Sequence, residues 1–221
     1  MGDHVLFFYG TLMAPEILHR VIHGSPTPQQ WQKDLLQFRP AILHGYRRHR
    51  VRGADYPGII RESESWQGFT TEGSGSATEK AALSSGPGTS SHASVLGTVV
   101  SGLTDGDIHR LDIFEGAVYR RERVVVRILR EALLEDLNSP NGTRNRNGNG
   151  AHADADAAWD RHLKDVLEAA VAEFADEGEE VETETYVWIA GRGMLEDAEW
   201  DFEAFRRDKM AWWVSADESE W

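Results

Sequence analysis

Glu115 closes the segment LTDGDIHRLDIFEG, residues 103 to 116, and stands where a helical period expects core. Ile108, Leu111 and Phe114 mark an apolar stripe. Glu115 lies seven residues after Ile108 and four after Leu111, which aims it close to that stripe. Asp112 lies farther round, towards the stripe's edge. A buried carboxylate is costly unless it is paired or protonated. Spacing leaves two readings open. Glu115 pairs with Arg120 or Arg121, or frays into solvent at the helix end. Alternatively it is a general base with a raised pKa in an apolar pocket.

The second stretch is FFYGTLM, residues 7 to 13. Tyr9, Gly10, Thr11 and Leu12 follow a predicted strand and precede a predicted helix. Glycine lets backbone approach a ligand closely, and amides at the start of a helix suit a carboxylate or phosphate. The stretch is neither a Walker A loop, since no Gly-Lys-Ser/Thr follows, nor a GxGxxG fingerprint. A plain strand-to-helix turn is the competing reading.

Other groupings carry less. His19 and His23 are spaced to bind a metal from one helix face, but HRVIH lacks the glutamate of HExxH and an obvious third ligand, so no metal site is predicted. The run RRHRVR, residues 47 to 52, reads as the wet face of a strand, with Arg50 balancing nearby acids, and a site for a phosphate or an acidic substrate is the alternative. DAEWDFEAFRRDKMAWWV, residues 197 to 214, reads as a helix over the core, with a partner-binding or substrate-covering surface as the alternative. Tyr56 and Tyr119 are cavity candidates without an assigned catalytic role.

Composition narrows the function classes. The 221 residues carry a formal net charge of −14, which argues against nucleic-acid or anionic-membrane binding. No cysteine is present, which excludes thiol nucleophiles, zinc-thiolate sites and disulfides and fits a cytoplasmic protein. The first residues have no basic region before their short apolar run and do not read as a signal peptide. No window reaches the length of a membrane span.

These residues need elements to position them. Strands are predicted at His4 to Tyr9, Ala41 to Arg50, Gly58 to Arg61, Val95 to Ser101, Tyr119 to Leu129 and Thr185 to Ala190. Helices are predicted at Pro15 to Ile22, Thr104 to Phe114, Trp159 to Phe174 and Asp197 to Met210. Thr104 with Asp107 makes a capping-box start, and Gly116 a natural C-terminal cap. Residues 70–94 are rich in Gly, Ser and Thr, and residues 138–153 in Asn and Gly, so both read as insertions within one domain of residues 1–221. A C-terminal extension follows from about residue 154. Phe174 to Glu184, with six acids and no base, reads as a solvated loop. Strands outnumber helices without strict βαβ alternation, which predicts an α+β fold with a mixed sheet curled towards a barrel.

FFYGTLM, ADYPGII at 54 to 60, VLGTVV at 95 to 100, LDIFEG at 111 to 116 and VYRRERVVV at 118 to 126 occur in an order that resembles the γ-glutamylcyclotransferase-like superfamily. The nearest branch is the AIG2-like and γ-glutamylamine cyclotransferase group, over roughly residues 4–130. The resemblance implies a small mixed β-barrel with flanking helices, here with a C-terminal helical extension outside the shared core. It implies that Tyr9, Gly10, Thr11 and Leu12 bind a small γ-glutamyl substrate and that Glu115 is the catalytic acid/base. It implies release of 5-oxoproline without metal or organic cofactor. A non-catalytic binding or regulatory module on the same barrel, and an amide-cleaving enzyme acting on a γ-glutamyl-protected metabolite, are the alternatives. The insertions and the extension put the substrate's leaving group in question more than the fold.

Overall fold

The computed structural model describes residues 2–65, 93–130 and 176–216. Five strands close a barrel in the order β1 (His4–Phe8), β5 (Ser94–Leu103), β2 (Gln37–His44), β6 (Tyr119–Arg130) and β7 (Asp176–Trp188). All neighbours are antiparallel except β1 and β7, which run parallel and close the ring. β3 (Tyr46–Arg50) and β4 (Pro57–Arg61) form a separate antiparallel pair. The flanking helices are α1 (Pro15–His23), α2 (Gln30–Lys33), α3 (Glu62–Ser65), α4 (Asp105–Glu115), α5 (Phe202–Asp208) and α6 (Met210–Ser215). This is the expected α+β mixed barrel with flanking helices.

β1 explains itself from its sequence. Its residues alternate between two apolar bodies, so the strand reads as a continuous apolar run. Phe7 and Tyr9 join Leu43, Val95, Val99, Val124, Val126 and Val187 in one cluster. Leu6 and Phe8 join α1, α4 and the C-terminal helices through Ile17, Leu18, Leu111, Phe205 and Trp213 in another. The predicted α1 is confirmed, and its Arg20 reaches across to donate to the carbonyl oxygens of Trp213 and Val214 at the end of α6. That bond ties the C-terminal helix to the barrel. Among the described residues, no helix is long and apolar enough to cross a membrane.

Four expectations need correction. The strand expected over Ala41 to Arg50 is two strands in two sheets, because Gly45 takes a left-handed φ of 79° and turns the chain. The acidic stretch expected as a loop is strand from Asp176 onward: it pairs along β6, and its carboxylates meet the arginines of β6 and β2. The expected last helix starts only at Phe202, where Asp201 accepts from the Ala204 N–H as its N-cap, and it breaks again before Met210. Arg48, expected on a wet face, is half-buried, with its side chain 11% exposed. β7 lies in the part of the chain expected to be an extension, and there it completes the barrel. The predicted helix over Trp159 to Phe174, the insertion at 138–153 and nearly all of that at 70–94 lie outside the described residues.

Candidate active site

β1 delivers Tyr9 and Gly10 to one end of the barrel, where a short 3-10 turn over Thr11–Met13 leads into α1. Gly10 packs against the start of β4. A Cβ on Gly10 would stand 2.8 Å from Cγ and 2.9 Å from Cδ of Pro57. Only the absence of a side chain lets the loop and the Pro57 ring share that space. Two backbone bonds, Met13 N–H to Gly10 O at 3.0 Å and Ala14 N–H to Thr11 O at 3.1 Å, fix the turn. Among the described residues, the N–H groups of Gly10, Thr11 and Leu12 meet no acceptor.

α4 delivers Glu115. Its start is the predicted capping box: the Thr104 N–H donates to Asp107 at 2.8 Å and the Asp107 N–H to the Thr104 hydroxyl at 3.2 Å. Ile108 and Leu111 are buried against the barrel, and Gly116 ends the helix. Anchored at both ends, the last turn can point only one way.

The two stretches meet. Tyr9, Gly10, Thr11, Leu12 and Glu115 line one cavity, with Phe7, Phe8, Tyr56, Pro57, Tyr119 and Tyr186. Their side chains fill it to about 20 Å³, room for about one water. Glu115 keeps partial surface exposure, yet enough protein surrounds its carboxyl to desolvate it. Burial pushes its pKa up to about 8.

Among the described residues, the Glu115 carboxylate has no ion pair or hydrogen bond, and both expected partners are engaged elsewhere. Arg120 pairs with Glu122 at 2.5 Å. Arg121 pairs with Glu184 at 3.1 Å and Asp112 at 3.3 Å. The pairing reading of Glu115 is therefore not what the fold adopts.

Tyrosines frame the carboxylate. The Tyr119 hydroxyl donates to Pro57 O at 2.7 Å, and the Tyr9 hydroxyl to Tyr186 O at 2.6 Å. The Tyr186 hydroxyl donates to Asp112 at 2.8 Å. Burial raises the pKa of all three, with the Glu115 charge adding to each, so they stay neutral donors. Tyr56 stands edge-on to Tyr119 at 6.3 Å and to Trp213 at 6.5 Å, and Trp213 also meets Phe114 at 6.2 Å. The C-terminal aromatic segment thus packs beside the cavity.

Sequence reasoning singles out Glu115 and the loop, which the structure brings to one cavity, and it names Tyr56 and Tyr119 as candidates. It misses Tyr186 and Pro57. Tyr186 sits in an alternating strand, VETETYVW, residues 181 to 188, whose inward face could have marked it. His19 and His23 stack at 5.5 Å on α1, away from this cavity's lining, and no group of three potential metal donors occurs among the described residues.

The resemblance read from the sequence is supported by comparison with known proteins. Residues 6–80 match the family model described as Gamma-glutamyl cyclotransferase, AIG2-like. The chain is 22% identical over 204 residues to Protein AIG2 C of Arabidopsis thaliana, spanning 92% of this chain and 73% of that one. It is 23% identical over 213 residues to AIG2-like protein B of the same plant, spanning 96% and 75%. Among solved structures, a solution structure of an Arabidopsis thaliana protein aligns over 92% of this chain and 80% of its own at 21% identity and a TM-score of 0.43. A crystal structure of a yeast γ-glutamyl cyclotransferase specific to glutathione aligns over 90% and 74% at 14% identity and a TM-score of 0.41.

Proposed function

We propose, from its likeness to the γ-glutamyl cyclotransferase, AIG2-like family, that this protein closes a γ-glutamyl group into 5-oxoproline and releases the attached amine. The observation that carries this reading is the desolvated carboxylate of Glu115, without a partner among the described residues, in one cavity with the Tyr9–Leu12 loop. Such a group is poised for proton transfer near neutral pH.

The chemistry follows from what the loop and the carboxylate can offer. The substrate's α-ammonium gives a proton to Glu115, and the freed amine attacks the γ-carbonyl carbon. The bond from that carbon to the leaving nitrogen breaks as Glu115 returns the proton to it. A second proton passes from the new ring nitrogen through Glu115 to the departing amine or to solvent. Two protons leave the ammonium and two are taken up, with no water consumed. Backbone N–H groups of the loop hold the α-carboxylate or the developing oxyanion. The neutral tyrosines keep the site dry enough to sustain the raised pKa. Because ring closure is intramolecular, holding the chain folded lowers the barrier further. A γ-glutamyl group is larger than the present cavity, so binding requires part of the lining to move aside.

Incubation with γ-glutamyl amino acids, γ-glutamyl amines and glutathione, with assay of 5-oxoproline, tests the proposal. Turnover by the wild type and a loss of about 10²- to 10⁴-fold in kcat for Glu115→Gln are expected. For the wild type, kcat/KM rises with pH up to about 8, where Glu115 becomes ionised. No turnover on any member of the panel, with 5-oxoproline still bound, would favour a binding module instead.

A further inference from the structure

Arg48 lies behind the loop rather than in the cavity. It belongs to β3, outside the barrel sheet, and its side chain is 11% exposed. Nη1 donates to the Tyr9 carbonyl oxygen at 3.0 Å and approaches Leu96 O at 3.5 Å. Nη2 donates to Glu199 at 3.3 Å, and the guanidinium stands 5.6 Å from the Trp200 ring centroid. Three separate stretches of chain, the end of β1, β5 and the segment before α5, therefore converge on one cation carried by β3. Glu199 is 70% exposed, so the counter-charge is largely solvated while the guanidinium is not. A cation withdrawn this far from water and held on a main-chain carbonyl is costly and calls for an account beyond surface ion pairing.

The carbonyl it holds is one half of the peptide that enters the site. The described peptides are all trans, so the Tyr9 carbonyl and the Gly10 N–H point in opposite directions. Fixing one fixes the other. Gly10 lines the cavity, and among the described residues its N–H has no acceptor. A cation on the carbonyl also draws electron density towards oxygen and makes the N–H a stronger donor.

We propose that Arg48 is a positioning residue for the ring closure: through the Tyr9 carbonyl it orients and polarises the Tyr9–Gly10 peptide, so that the Gly10 N–H is held ready to donate to the oxygen of the γ-carbonyl under attack. This rests on the reaction proposed above. Arg48 touches no reacting atom. Its effect belongs on kcat, since charge on that oxygen grows as the ring closes.

The test compares Arg48→Met, Arg48→Lys and Glu199→Gln with the wild type. Thermal unfolding and far-UV dichroism check folding, kinetics use a γ-glutamyl substrate that the wild type turns over, and the Gly10 amide is followed in ¹⁵N-labelled protein. Arg48→Met is expected to lose roughly 10- to 100-fold in kcat with KM changed less than about threefold. Arg48→Lys, which keeps a cation and a donor, recovers part of that loss. Glu199→Gln stays within about twofold, since its contact is on the solvent side. The Gly10 amide resonance shifts in both Arg48 variants. A folded Arg48→Met with wild-type kcat, or a loss confined to KM, overturns the role. Should Arg48→Met not fold, Arg48→Lys decides: wild-type kcat with an unmoved Gly10 resonance overturns it. A wild type that turns over nothing overturns the reaction, and the Gly10 resonance still reports whether Arg48 sets that amide.

Discussion

Two regions of this protein hold carboxylates in opposite ways. On the wall formed by β6 and β7 they come in rungs. Glu184 meets Arg121 at 3.1 Å, Glu180 meets Arg127 at 2.6 Å, and Glu179 meets Arg39 of β2 at 2.5 Å. Most of these partners are open to solvent, where such a pair is worth about 0–1 kcal/mol. At the end of α4 the arrangement reverses. Glu115 has no partner among the described residues and is walled by tyrosines. The wall thus holds its carboxylates in pairs, and the end of α4 leaves one without a partner among the described residues. Asp112, one turn earlier on the same helix, sharpens the contrast: 44% exposed, it pairs with Arg121 and accepts from Tyr186. Environment, not residue type, separates the two.

The largest effect expected from breaking that contrast is on stability, and it depends on pH. The folded state holds Glu115 protonated up to about pH 8, while the unfolded chain releases that proton near 4.5. Between those values the folded state binds more protons, so this group's contribution to stability falls as pH rises. Below about pH 4.5 it costs nothing. Above about pH 8 its full cost is present. Glu115→Gln removes the cost and should be the more stable protein at pH 9, by on the order of a few kcal/mol, with the difference shrinking towards pH 4.5. Urea unfolding across this range measures it. A flat difference for Glu115→Gln would mean that its carboxyl is solvated after all.

Next in size is the close approach that brings the loop to the cavity. Gly10→Ala puts a methyl 2.8 Å from a proline ring that cannot swing away. Either the loop or the start of β4 must shift, and the Tyr119 bond to Pro57 O shifts with it. A loss of about 1–3 kcal/mol is expected, with turnover reduced about tenfold or more. Gly193→Ala, where an added Cβ meets nothing within 4 Å, is the matching control and should leave both nearly unchanged.

What could be read from the sequence follows the reach of the interactions. α4 was legible because its signals are local: Thr104 and Asp107 begin it, Gly116 ends it, and the step from Ile108 to Glu115 sets the direction of the carboxylate. The meeting of Glu115 with Tyr9–Leu12 was reached through the order of motifs, since no local signal links residues over a hundred positions apart. The start of β7 was not legible. Six acids look like a solvated loop until the arginines of β6 stand opposite, and that register is set by a pairing across about fifty residues of chain. Arg48 was misread for the same reason. Its burial comes from Tyr9, Leu96, Glu199 and Trp200, none of them near it in sequence. Gly45 shows the remaining kind of failure: one glycine with positive φ splits an otherwise continuous strand pattern.

The smallest effect belongs to the rungs themselves, and it tests whether they are as dispensable as solvent screening implies. Arg127 faces Glu180 at 2.6 Å and Glu177 at 3.4 Å, with its side chain 41% exposed. Glu177 also contacts His44 at 2.9 Å, so removing Arg127 does not leave it isolated. The carboxylates freed by Arg127→Ala can return to water, which is what Glu115 cannot do. The change in unfolding free energy should therefore lie within about 0.5 kcal/mol at moderate ionic strength and vanish near 1 M salt, where charges more than about 3 Å apart are screened. Turnover should not move. A loss above about 1.5 kcal/mol that persists in high salt would show that the β6–β7 wall depends on its charges, and that the strand replacing the expected loop is held by more than backbone pairing.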